Sequence, residues 1–201
     1  MRTLRDMINQ NARRYPNKIA FKQGLESYAY GEVNRRINSL INGLSHLGVN
    51  KGDRVGILAH NCPRYFEVFG LAKAGRVCVP LNHRMVAREL SYLINNSQLS
   101  ALVVEGEFIE IIDSIRDQLE GVREFICLDG EARGLKSYEQ LIDTYPADEP
   151  TDEVEPHDPS TIFYTSGTTG WPRGAIHTHG SLVQRRISLT GGLAPKTSFC
   201  A

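Results

Sequence analysis

From Tyr30 to Leu47 the apolar residues fall at positions 33, 37, 40, 41, 44 and 47, the spacing of one buried helical face. Gly48 stands where such a helix stops. The NKGD of residues 50–53 then turns the chain into RVGILA, short and apolar enough for a strand buried on both faces. Pro63 sits where a first helical turn tolerates it, and Asn61, just ahead of it, is the best candidate for the cap. Tyr65, Phe66, Val68, Phe69 and Ala72 give the next apolar face, which ends at Gly75, and VCVPL (77–81) reads as a strand. ARELSYLINN (87–96) is predicted helical, although Val86 occupies the place of a capping hydroxyl. SALVVE (100–105) is strand-like. Phe108, Ile111, Ile112, Ile115 and Leu119 then recur at helical intervals and predict the most regular helix of the chain, closed by Gly121. REFICLD (123–129) supplies a further strand.

Strands alternating with helices of this length imply βαβ units. The expected fold is α/β: layered, mostly parallel sheets flanked by helices. The alternation breaks at PADEPTDEVEPHDP (146–159), which holds four prolines and six acidic residues in fourteen positions. Such a run cannot bury enough to fold alone and reads as a solvated surface connector. Its carboxylates, separated by prolines, do not converge as a metal site would require. We therefore expect an amino-terminal α/β unit over 1–145, a connector over 146–160, and from 161 to 201 the start of a nucleotide-binding segment.

Composition narrows the partners. Twenty-three basic and twenty-three acidic residues cancel, so no global field favours nucleic acid or an anionic membrane. No apolar run approaches the ~20 residues of a transmembrane helix, and MRTLRDMINQNARRYPNK lacks the continuous apolar region of a secretory signal. Its register fits an ordinary packed helix. Cys62, Cys78, Cys127 and Cys200 are scattered without a C-x-x-C pair, which suits buried thiols in a reducing cytoplasm.

The chemistry concentrates after the apolar TIFYT (161–165). There the chain runs Ser166-Gly167-Thr168-Thr169-Gly170, then Trp171-Pro172-Arg173-Gly174. Glycines permit close backbone approach and inward-facing N–H groups, hydroxyls donate to oxyanions, and Arg173 adds a permanent forked cation. Those residue types suit a phosphate cradle, although a flexible turn between two strands would use many of them too. The Walker spacing G-x-x-x-x-G-K-[ST] is absent, as is G-x-G-x-x-G. In an open α/β sheet such a loop should leave the carboxyl end of the strand 161–165.

The full run YTSGTTGWPRGAIHTHGSL resembles the phosphate-binding signature of the adenylate-forming enzymes: acyl- and aryl-CoA synthetases, luciferases and peptide-synthetase adenylation domains. Residues 28–97 are similar to the amino-terminal portion of that family, so the resemblance covers nearly the whole chain. It implies a two-step ligase: a carboxylate, of the fatty-acyl type in our reading, is activated by ATP to an acyl-adenylate, and CoA then takes the acyl group as a thioester. The alternative is an amino-acid or aryl-acid adenylating enzyme. The resemblance assigns Ser166, Gly167, Thr168, Thr169, Gly170 and Arg173, flanked by Thr165 and Gly174, to the ATP phosphates, with Thr165 near Mg²⁺. Two departures matter. Arg173 replaces the family's usual lysine, keeping the charge but changing its hydrogen-bond geometry. The family's adenine-binding segment, Gly-x-Thr-Glu loop, ribose-binding aspartate and catalytic lysine lie beyond the pattern matched here. The chain therefore reads as a fragment, its rival a non-catalytic nucleotide-binding remnant.

His177 and His179 share a face if their segment is extended, but no third ligand lies near in sequence. Trp171 is expected to pack under the loop. Gln184 to Arg186 should form the solvated side of a helix that starts near Thr178 or Ser181.

Overall fold

A computed structural model describes residues 2–165 and 171–190. Helix α1 (Leu4–Arg14) is opened by Thr3, whose hydroxyl accepts from the Asp6 N–H while the Asp6 carboxylate accepts from the Thr3 N–H. Strands β1 (Ile19–Gln23) and β2 (Glu26–Ala29) form an antiparallel hairpin that the apolar pattern did not announce. Helix α2 (Tyr30–His46) follows, with Gly48 beyond it at φ 78°. Then come β3 (Arg54–Leu58), α3 (Pro63–Gly70), β4 (Val77–Leu81), α4 (Ala87–Asn96) and β5 (Leu99–Val104). After these lie α5 (Ile109–Asp113), β6 (Glu124–Cys127), β7 (Lys136–Ser137) and α6 (Tyr138–Thr144). The chain reaches β8 (Pro159–Thr165), β9 (Arg173–Thr178) and α7 (His179–Thr190) through the acidic connector.

Among the described residues the main sheet has seven strands in the order β7-β6-β5-β3-β4-β8-β9. All its pairings are parallel except β8 with β9. The expected layered α/β fold is present. On one face α2, α3 and α6 pack Ile37, Leu40, Val68 and Leu141 against Val55, Ile57 and Val103. On the other, α4 and α5 pack Leu90, Leu93 and Ile112 against Leu58, Val79 and Leu102. Each fully buried aliphatic side chain contributes at most about 1.5–3 kcal/mol, which is why the apolar periods of α2 and α4 are so legible.

Three sequence readings need correction. The helix expected over 108–119 is three short pieces: a 3-10 turn at Gly106–Phe108, α5, and a second 3-10 turn at Arg116–Gln118. Ser114 turns its hydroxyl back on the Ile111 carbonyl at 2.7 Å, and Asn95 takes the Gln118 carbonyl at 2.7 Å. These bonds compete with a continuous helix, yet Ile112, Ile115 and Leu119 are still buried. The period tracked burial, not conformation. Asn61 does not cap α3; Cys62 holds that place, because Pro63 fixes the first helical residue and so puts the cap directly before it. Val86 does cap α4 without an oxygen of its own, and Glu89 supplies half a capping box by accepting from the Val86 N–H at 3.1 Å.

The third correction concerns the connector, which is docked and not merely solvated. Lys73 and Arg76, in the turn between α3 and β4, are 0% and 1% exposed. The Lys73 ammonium donates to Asn34 and Asn38 of α2 at 2.7 Å each and to Glu149 at 2.9 Å. Arg76 donates to Asp152 at 3.0 Å, to the Ser45 hydroxyl at 2.5 Å and to the Val49 carbonyl at 3.1 Å. The connector's carbonyls are taken by side chains of the body. Asn42 bonds Pro146 at 2.8 Å, Asn38 bonds Ala147 at 3.0 Å, Arg5 bonds Pro150 at 2.6 Å and also Asp152, and Lys51 bonds Glu153 at 2.7 Å. Isolated charges could not stay buried, so two of the acidic residues are counterions. Burial raises the Glu149 carboxyl, but Lys73 outweighs it and holds the group below the ordinary glutamate range.

Glu149→Gln should therefore destabilise the fold by about 1–3 kcal/mol at neutral pH, less than the ~3–5 kcal/mol of a wholly buried broken pair, since Glu149 is partly exposed. Urea unfolding of Glu149→Gln, Lys73→Met and the double variant checks this. The double variant should be less damaged than the sum of the singles, and a neutral Glu149→Gln would return the connector to the solvated reading.

Candidate functional site

The chain leaves the sheet at Thr165, the last residue of β8, and returns at Arg173, the first of β9. Because β8 runs parallel to β4, Thr165 lies at the carboxyl edge of the parallel strands, where ligands of open α/β sheets bind. Thr165 and Arg173 are directly paired across the antiparallel ladder, so the structure brings a hydroxyl and a guanidinium to the two sides of one hairpin mouth. Both are exposed. Among the described residues no hydrogen bond or ion pair engages the Arg173 guanidinium. Ser166, Gly167, Thr168, Thr169 and Gly170 lie outside the described residues, as does Cys200.

The ladder sorts the flanking side chains by face. Thr161, Phe163 and Thr165 share a side with Arg173, Ala175 and His177; there the Phe163 ring stands 6.1 Å from Phe69 of α3 and edge-on to His177 at 5.4 Å. Ile162 and Tyr164 share the opposite side with Gly174, facing α4. A Cβ on Gly174 would meet Ile162 Cγ2 at 2.9 Å and the Tyr164 ring at 3.1 Å. Gly174 thus has a steric task next to the mouth, letting Tyr164 lie across β9 and donate its hydroxyl to Asn96 of α4 at 2.7 Å.

Trp171 stands on α4, its ring 4.5 Å from Tyr92 and 5.1 Å from the Arg88 guanidinium; the loop it was expected to pack under lies outside the described residues. Sequence reading missed both partners, since nothing local links residues 88 and 92 to 171. A second group along the same edge also went unread. His60, just past β3, donates its N–H to Glu105 at 2.7 Å and holds its ring Nδ1 3.0 Å from the same carboxylate. Its ring lies 4.5 Å from His83, just past β4, and 5.2 Å from Phe108. Their positions one or two residues beyond strand ends were the available signal.

His177 and His179 do not share a face. β9 ends at Thr178, and His179 opens α7, because Thr178 and Ser181 exchange hydroxyl and backbone bonds at 3.1 and 3.2 Å that start the helix. His179 is fully buried, its Nδ1 accepting from the Leu4 N–H at 3.2 Å. Its Nε2 has no partner among the described residues. Burial holds the imidazole pKa below its usual 6.5. Cys62, Cys78 and Cys127 are free thiols. Among the described residues no three His, Cys, Asp or Glu side chains converge as a metal site, and no helix is long and apolar enough to cross a membrane.

The pattern of the AMP-binding enzymes runs through residues 8–200. The chain belongs to that family. It is 35% identical over 190 residues to crotonobetaine/carnitine–CoA ligase of Salmonella typhi, covering 89% of this chain and 37% of that protein. Two solved structures superpose closely. An anthranilate CoA ligase in complex with anthranoyl-AMP matches with a TM-score of 0.84 at 27% identity, over 89% of this chain and 35% of that one. A Mycobacterium tuberculosis fatty acyl CoA synthetase matches with a TM-score of 0.80 at 30% identity, again over 89% and 35%. This AMP-binding chain thus spans little more than a third of the length of these relatives.

In this AMP-binding chain Gly174→Ala should cost about 1–3 kcal/mol by overpacking and displace Tyr164 from Asn96. Thermal unfolding and tyrosine fluorescence check both, and an unchanged melting point would deny the close approach. His179 gives a pH prediction with a defined sign. The folded chain favours neutral imidazole, so the unfolded chain takes up the proton first. His179 therefore contributes its full stability above the usual pKa of 6.5, and the contribution falls as pH drops below that value toward the lowered folded pKa. Asp158, Asp6 and Lys51 are the charges that act on it, while Glu149 and Asp53 titrate lower, below the ordinary carboxylate range. Urea midpoints followed from neutral pH to about 5.5 should slope in the wild type and flatten in His179→Gln.

Proposed function

We propose that this chain supplies the polyphosphate-gripping part of an ATP-dependent carboxylate–CoA ligase. In that reaction a carboxylate oxygen attacks the α-phosphorus of ATP, the α–β P–O bond breaks, and pyrophosphate leaves with the bonding pair. The CoA thiolate then attacks the acyl carbon, and the C–O bond to AMP breaks. The observation that carries the reading is the Thr165–Arg173 pair at the mouth of a hairpin on the carboxyl edge of the sheet. Arg173 has a charge and no described partner, so it is available to an anion. Its guanidinium would neutralise charge gathering on the departing pyrophosphate, an electrostatic contribution to catalysis. Ser166 to Gly170 would add short donors between these two anchors.

Thr165 fits a minor role toward Mg²⁺. It would offer the ion one neutral oxygen, in keeping with a cation that draws few ligands from protein. Bound there, Mg²⁺ would supply positive charge beside the phosphates. The relatives named above are CoA ligases, which supports CoA over a carrier protein as acceptor. They differ in the acids they are named for, so the shared step is acid activation, and a fatty acid is the finer part of our proposal. ATP–pyrophosphate exchange with a panel of fatty, aryl and amino acids, run on the protein that carries this chain, would select among them.

For the grip itself, calorimetry of pyrophosphate binding to this chain provides the test. Arg173→Ala should weaken binding about ten- to a hundredfold, the worth of a charge-assisted contact. Arg173→Lys should recover most of the loss, and Thr169→Ala should cost less, since a neutral donor is weaker. A silent Arg173→Ala beside a crippling Thr169→Ala would remove the cation from the mechanism.

A further inference from the structure

Arg88, Tyr92 and Asn96 recur every four residues along one stripe of α4. That stripe holds both shoulders of the hairpin mouth. Asn96 accepts from Tyr164, next to Thr165 on β8. Tyr92 and Arg88 receive the indole of Trp171, two residues before Arg173 on β9. Between Trp171 and Arg173 lies Pro172, whose ring fixes its own φ and confines the residue before it to extended backbone. The backbone from Trp171 to Arg173 is therefore short and restricted, so anchoring the indole fixes where the Arg173 side chain starts. Among the described residues β9 is also the outermost strand of the sheet, so its first residue has the β8 ladder on one side and no described strand on the other. Trp171 remains 46% exposed, so the contact serves placement more than burial.

We propose that Arg88 and Tyr92 are positioning residues for the phosphate grip, acting on Arg173 through Trp171 without touching the anion. This rests on the reading of Arg173 given above. Neither residue belongs to the signature after β8, and each reaches the mouth only through tertiary packing.

Trp171 is the chain's single tryptophan, so its emission reports this contact directly. The experiment measures thermal melting and the calorimetric Kd for inorganic pyrophosphate in the wild type, Tyr92→Phe, Tyr92→Ala, Arg88→Met, Trp171→Ala and Arg88→Met/Trp171→Ala, with Trp171 emission followed in those that keep the indole. Tyr92→Ala should red-shift the emission and weaken pyrophosphate about three- to tenfold, the range of an aromatic pair contact. Tyr92→Phe, which keeps the ring, should match the wild type. Arg88 is exposed, so Arg88→Met keeps the fold and decides the matter even where Tyr92→Ala is too unstable to use. It should weaken binding about two- to fivefold, with no further loss beyond that of Trp171→Ala once Trp171 is gone. Wild-type Kd in both Tyr92→Ala and Arg88→Met would overturn the proposal and leave the Arg173 reading intact. Weakening by Arg88→Met that persists without Trp171 would make Arg88 a direct ligand, which also overturns it. Failure of the wild type to bind pyrophosphate would overturn the Arg173 reading itself, and this inference with it.

Discussion

Two cations buried beside β4 have to be neutralised. Lys73 and Arg76 are closed off from water, and neither the helix before them nor the strand after them carries an acid that reaches them. Asn34, Asn38 and Ser45 of α2 supply neutral oxygens, which satisfy donors but not charge. Among the described residues only the connector brings them carboxylates, through Glu149 and Asp152. Once these are placed, the proline-rich run has a fixed path across α2 and α1, and β8 is delivered alongside β4. The carboxyl edge then presents Thr165 and Arg173 together. The edge that carries Thr165 and Arg173 thus depends on ion pairs at the far side of β4.

Much of the fold was legible where burial imposes a period. The stripe of α2 and the apolar runs of β3, β4 and β5 face or form the core, and their pattern has no second explanation. Legibility failed where side chains act on the backbone. Ser114 and Asn95 divide the helix expected after β5, although every apolar position in it meets the core as the period requires. The hairpin β1–β2 lies outside the main sheet and meets the core only with partly buried side chains, Ala20, Phe21 and Tyr28, Phe21 stacking on Phe66 at 4.1 Å. Helix α6 is short, and polar ties join its apolar packing: Tyr138 donates to Glu67 at 2.9 Å, and Glu139 accepts from Arg36 at 3.0 Å. Acidic composition made the connector look solvated because sequence shows charge but not which cations wait for it.

The site divides in the same way. Local chemistry marked Thr165 and Arg173, and the antiparallel register sets them opposite one another. Gly174 was read as a residue for a ligand, whereas its visible task is to make room for Tyr164. Trp171 was read as part of its own loop, but its contacts come from Arg88 and Tyr92 of α4, far earlier in the chain. Residues that join a site by packing across a sheet leave no local signature.

The connector's late place in the chain has a consequence for how the molecule is made. Lys73 and Glu149 are 76 residues apart, as are Arg76 and Asp152. A ribosome adding about 5–20 residues per second releases the cations several seconds before their counterions. During that interval α2, β3 and β4 can assemble only with Lys73 and Arg76 still open to water, so the layer around them cannot close. The paired, closed layer around the two cations becomes available only once the acidic run has emerged, with β8 directly behind it.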